Sequence, residues 1–134
     1  MDMTEVDTDD LLRRFAVDPW SRGDLSGLDE TVAEDYVLEP GMGVDDLKGV
    51  IRSNRDAFPD LTLTVHETVT EGSRIAYRWE ITGTHQGVYQ GIAPTGRRVM
   101  VSGITMLALR DGKVVHDRFE SSSPAPAEQL TSEG

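Results

Sequence analysis

The sequence predicts an α+β fold: a cone in which a curved, mostly antiparallel sheet wraps around about three N-terminal helices. Two observations carry this prediction. Apolar residues follow helical spacing as far as Phe58 and alternate from Leu61 onward. Turn signals at Gly72 and Asp111-Gly112 then divide the second half into hairpins. Helices first and antiparallel hairpins afterwards is the α+β pattern. A chain of 134 residues is long enough for one domain with a real core. No internal repeat or second domain is visible, so residues 1–134 are read as one unit, with 1–7 and 124–134 flexible or peripheral.

The elements follow in order. Thr8 can cap a first helix, with Asp9 and Asp10 in the first turn where the helix dipole favours acids. Leu11, Leu12, Phe15 and Ala16 form its buried face. Asp18-Pro19 is expected to kink or end it. Leu28 and Val32 mark a short second helix. Tyr36-Val37-Leu38 reads as a short strand halted at Pro40-Gly41. A third helix runs from Val44 to Phe58, with Leu47, Val50, Ile51, Asn54 and Phe58 on one face, and Pro59 stops it. Leu61, Leu63 and Val65 alternate with polar residues, as a half-buried strand should. In the next strand Ile75, Tyr77, Trp79 and Ile81 share one face, and Arg78 and Glu80 share the other. A glycine-rich loop from Gly83 to Arg98 is long enough to suggest a function. Val99–Leu109 and Lys113–Ser121 are the last strands, and a short segment with Gln129-Leu130 ends the chain.

Composition narrows the function. There is no cysteine, so disulfides, thiolate catalysis and zinc–sulfur sites are excluded. The formal charge of −11 argues against nucleic acid or an anionic membrane as partner. No apolar run reaches the roughly 18 residues of a membrane span, and the N-terminus is acidic where a signal peptide is basic. A cytoplasmic location is expected. His66, His85 and His116 are far apart and form no ligand pair, so no metal is expected. The glycines after His85 do not fit a dinucleotide fingerprint, and no other cofactor is expected.

Ordered residues then point to a family. Glu71-Gly72, Ala76, Arg78-Trp79, Gly83-Thr84-His85, Gly87, Gly91-Ile92, Pro94-Thr95-Gly96-Arg97 and Val99 form a pattern about 30 residues long that resembles the SnoaL-like polyketide cyclases. These belong to the nuclear-transport-factor-2-like superfamily of α+β cones. Trp20 ahead of Gly23-Asp24-Leu25, and Phe58-Pro59-Asp60, are similar to the family as well. The resemblance implies a cofactor-free enzyme, a homodimer, that closes a ring in a hydrophobic polyketide-like intermediate by intramolecular aldol reaction. One fold hosts many reactions, so the chemistry has to be argued from the site.

The resemblance also implies an aspartate on the last strand. Matching Gly112-Lys113 and Gln129-Leu130 to the family without a gap puts Ser122 at that position, and a lone serine hydroxyl is a poor acid or base near neutral pH. Glu120 lies two residues earlier, on the same face of an extended strand and roughly 6–7 Å away. In an apolar space its pKa would rise, making it the candidate acid–base; the alternative is an ordinary strand-end glutamate that faces water. Asp117 is expected to face water. His85 is a candidate donor to a substrate carbonyl, with loop stabilisation as its alternative role. Trp20, Tyr36, Phe58, Trp79, Tyr89, Thr105 and Ser122 are candidate substrate contacts. Arg78 and Glu80 are either a surface ion pair or catalytic, since their spacing resembles the arginine–acid pair of limonene-type epoxide hydrolases. A non-catalytic small-molecule-binding module is the third reading.

Overall fold

A computed structural model of the chain describes residues 7–122 and 124–131. Asp7, rather than Thr8, caps helix α1 (Thr8–Leu12), its side chain accepting from the Asp10 amide at 3.1 Å. The expected break at Asp18-Pro19 does not occur. The chain widens into a π-helical turn at Arg13–Val17, with the Asp18 amide bonded to the Arg13 carbonyl, and continues as α2 (Asp18–Arg22). Pro19 sits in the first turn of α2, where its missing N–H costs little. Gly23, at φ 71°, ends the helix in the left-handed conformation that glycine adopts without strain.

The second helix, α3, is Ser26–Thr31, and Val32 already belongs to strand β1 (Val32–Leu38). That strand is longer than its three-residue sequence signal. Helix α4 (Val44–Ala57) buries Leu47 and Ile51, while Val50 faces solvent rather than the core. Four long strands follow: β2 (Thr62–Glu71), β3 (Arg74–Thr84), β4 (Arg98–Arg110) and β5 (Lys113–Ser121). The C-terminal segment is a docked helix, α5 (Pro126–Thr131). Leu130 is buried, and Gln129 bonds to the Met100 backbone at 3.0 and 2.7 Å. Residues 1–6 of the expected flexible N-terminus lie outside the described residues.

The sheet has the order β1-β5-β4-β3-β2. β1 pairs parallel with β5, and the other pairs are antiparallel. This is the expected α+β architecture. The helices pack on one face of the sheet, where Leu11, Leu12, Phe15, Leu28 and Ile51 meet Ile75, Tyr77, Leu107, Leu109 and Val114 in the main core. A smaller cluster of Ala57, Phe58, Leu61, Val99 and Leu130 lies under the 85–97 loop. Among the described residues no helix is long and apolar enough to cross a membrane.

Two irregularities decide which side chains face inward. Trp79 pairs with Val65 and Arg78 with Glu67, so His66 is an extra residue on β2. Leu109 pairs with Val114 and Ala108 with His116, so Val115 is an extra residue on β5. A bulge of this kind shifts the following residues by one and exchanges their faces. Strict alternation from Val114 would aim His116 and Arg118 at the helices. After the bulge, Asp117 and Phe119 point there instead.

Candidate functional site

Between the helices and the inner face of the sheet lies a cavity of about 120 Å³. One water needs roughly 10–15 Å³ by the same measure. Helix residues Phe15, Ala16, Trp20 and Leu47 close one side, and Leu38, Leu63, Tyr77, Trp79, Ile81, Thr105, Asp117 and Phe119 line the sheet side. Five of the chain's eight aromatic residues are in this lining.

Asp117 is the one carboxylate in it. It is only 5% exposed, and its Oδ2 accepts a hydrogen bond from the buried Tyr36 hydroxyl at 2.7 Å. Burial pushes the Asp117 carboxyl up to about 6, against the opposing pull of the Tyr36 hydrogen bond and nearby His116. The same burial, with Asp117 beside it, drives the Tyr36 phenol far above its ordinary value, so Tyr36 keeps its proton. The pair comes together because β1 and β5 are neighbours, with Leu38 opposite Asp117 and Tyr36 two residues back on the same face. Tyr36 also packs edge-on against Phe15, with ring centroids 6.3 Å apart.

Trp79 forms a wall of the cavity. Its Nε1 donates to the Thr105 hydroxyl at 2.8 Å, and its ring meets Phe119 edge-on at 6.2 Å. Phe119 is 47% exposed and stands at the mouth.

The residues singled out in the sequence fall into four groups. Trp20, Trp79 and Thr105 line the cavity, and Tyr36 sits behind it on Asp117. Phe58, His85 and Tyr89 pack together under the loop, with Phe58 centroids 5.6 Å from His85 and 5.3 Å from Tyr89. They belong to the loop's footing and do not line the cavity. His85 is fully buried, and its Nδ1 accepts from the Thr95 amide at 3.1 Å, tying the loop's two ends together. Arg78 and Glu80 lie on the outer face of the sheet, where Arg78 bonds to Glu67 at 2.8 Å and Glu80 faces His66 at 3.9 Å. They do not line the inner cavity; their partners His66 and Glu67 border a separate, open and more polar hollow against the first helices.

Glu120 and Ser122 form the fourth group, and here the structure corrects the sequence reading. The Glu120 side chain is 84% exposed on the outer face, 3.8 Å from Arg118. The carboxylate stands in water and not in an apolar space. Ser122 continues the ladder past the end of β5, its amide donating to the Ser102 carbonyl at 2.7 Å and its hydroxyl accepting from the Ser102 amide at 3.1 Å. Asp117, expected to face water, is the buried acid. The signal missed was the bulge at Val115, which has no mark such as glycine in the sequence. Among the described residues no cluster of histidine and carboxylate side chains is placed to hold a metal ion.

The model of the SnoaL-like polyketide cyclase family matches residues 10–130. AclR from Streptomyces galilaeus, a candidate hydroxylase, is 34% identical over 90% of this chain and 76% of its own, with a TM-score of 0.76. TsrD from Streptomyces laurentii is 26% identical over 92% and 93% of the two chains, with a TM-score of 0.82. IdmH from Streptomyces antibioticus, a candidate polyketide cyclase, is 27% identical over 91% and 94%, with a TM-score of 0.75. No curated protein matches the chain.

Proposed function

Since the chain belongs to the SnoaL-like polyketide cyclase family, we propose that it is an enzyme that closes a ring in a hydrophobic, conjugated polyketide-like substrate, with Asp117 as its acid–base. The observation that carries this reading is a carboxyl raised to about 6 inside an aromatic cavity. Such a group exchanges protons efficiently near neutral pH. Its carboxylate takes a proton from the carbon beside a substrate carbonyl. The resulting enolate, stabilised by the substrate's own conjugation, attacks a second carbonyl of the same molecule to form the carbon–carbon bond. The Asp117 acid then returns the proton to the new alkoxide. Tyr36 is a positioning residue: it holds Oδ2 and leaves the other carboxyl oxygen for the substrate.

No cofactor is needed for these proton steps. Arg78 and Glu80 do not line the aromatic cavity, which favours the cyclase reading over the epoxide-hydrolase alternative. The identity to AclR favours a second reading, in which the same cavity hosts hydroxylation of a similar substrate by dioxygen, with an external two-electron reductant taking the second oxygen atom to water. A product heavier by one oxygen atom would select that reading.

Proton abstraction can be tested without the natural substrate. 2-Tetralone, a fused-ring ketone with acidic α-protons, exchanges them for deuterium when a base acts on it, and NMR follows the loss. The protein is expected to accelerate this exchange, and Asp117→Asn to slow it by about 100-fold or more. Equal exchange by the two proteins would leave a ligand-binding module as the better description.

A further inference from the structure

The cavity has a second polar end that the chemistry of Asp117 leaves unused. Tyr77 on β3 and Thr105 on β4 are direct cross-strand partners, and both line the cavity. Trp79, two residues along β3, donates its indole N–H to the Thr105 oxygen at 2.8 Å. A hydroxyl carries one proton and accepts through its oxygen. The indole N–H occupies the Thr105 oxygen, and the Tyr77 side chain beside it faces the cavity.

The hydrogen-bond partner of Asp117 is Tyr36, and Tyr77 is not bonded to it. Asp117 also stands on β5, on the far side of β4. Two strand spacings separate the backbones by about 10 Å, and both side chains line the one cavity. Phe15 and Leu47 close the same cavity from the helix side. A hydroxyl donor at one end and a carboxyl at the other, in an apolar cavity, match a carbonyl oxygen and the carbon beside it.

We propose that Tyr77 is a catalytic residue that holds the substrate carbonyl oxygen by a hydrogen bond while Asp117 moves the proton at carbon. The inference rests on the reading of Asp117 given above. As Asp117 takes the proton, the carbon–hydrogen electron pair becomes the enolate double bond and the carbonyl pair moves onto oxygen, against the Tyr77 O–H. Tyr77 keeps its proton throughout. Burial, then the charge of Asp117, hold its phenol far above its ordinary ionisation, so it donates a hydrogen bond and does not titrate. A donor placed where charge develops in a dry site contributes about 10²–10³ in rate.

The test compares 2-naphthol, whose oxygen sits on a flat ring as an enolate oxygen does, with naphthalene, the same ring without it. Calorimetric titration of wild type is expected to show tighter binding of 2-naphthol. Tyr77→Phe should reduce that preference by 10-fold or more and leave naphthalene binding within about twofold. Thr105→Val should reduce it by a smaller factor in the same direction. The proposal falls if Tyr77→Phe keeps the preference, if it weakens both ligands equally, or if wild type shows no preference. Failure of the Asp117 reading looks different: unchanged tetralone exchange in Asp117→Asn, with the naphthol preference still lost in Tyr77→Phe.

Discussion

Asp117 binds its proton more tightly in the native protein than in the unfolded chain, and this has two consequences. The gap between its ordinary value of 3.8 and about 6 is worth about 3 kcal/mol. The native state gains this fully below pH ~4 and loses it as pH rises through about 6, because the buried carboxyl must then ionise. Urea unfolding of wild type and Asp117→Asn isolates the effect. The stability difference should move by about 2 kcal/mol against wild type between pH 4 and pH 7. A difference that does not change with pH would mean the carboxyl is solvated. The second consequence concerns rate. The Tyr36 hydroxyl favours the charged carboxylate, so Tyr36→Phe should raise the Asp117 pKa. The rising limb of the tetralone exchange rate, expected near pH 6 in wild type, should move to higher pH in Tyr36→Phe. A limb moved to lower pH would contradict the direction of that hydrogen bond.

At the level of elements, the long strands and their turns were legible because alternation and glycine turns are local signals. The site was only partly legible, because its acid depends on Val115, one extra residue with no turn chemistry of its own. Trp79, Thr105 and Trp20 could be picked out from spacing and resemblance, since no bulge separates them from the pattern that places them. Gly103 shows a different kind of hidden information. It pairs with Trp79 across β3 and β4. A Cβ there would meet the Trp79 Cη2 at 2.8 Å and the Glu120 backbone oxygen at 2.6 Å. Glycine therefore lets the indole lie against the strand and keep the cavity open. In Gly103→Ala the ring must swing inward, at a cost of about 1–3 kcal/mol for overpacking, and naphthalene affinity should fall at least 10-fold. Unchanged affinity in a folded Gly103→Ala protein would show that the indole has room elsewhere.

At the scale of the whole molecule, the outer face of the sheet carries an exposed apolar stripe. Met100, Ile104 and Met106 stand on β4 with exposures of 56%, 55% and 48%, all on the side away from the helices. An apolar stripe on a central strand is unusual for a face that meets only water. Its flanks bear on the choice of partner. The chain carries a formal charge of −11 and would repel a copy of itself at most orientations. On this face, however, Arg78 pairs with Glu67 and Arg118 with Glu120, and Arg74 lies against Met106, so the stripe is flanked by both signs of charge. A second copy related by a two-fold axis would bring the same stripe onto itself and could set arginines against glutamates on both flanks, as an isologous interface requires. The occupant we propose is therefore another copy of this chain. Sedimentation should show a dimer in wild type. Ile104→Lys puts a charge at the centre of the stripe on each copy, where pairing would desolvate both, and should weaken the dimer by about 100-fold or more. The inner cavity lies on the opposite side of the sheet, so naphthalene binding by Ile104→Lys should stay within about twofold of wild type. A wild-type monomer, or a dimer that Ile104→Lys leaves intact, would remove this face from the assembly.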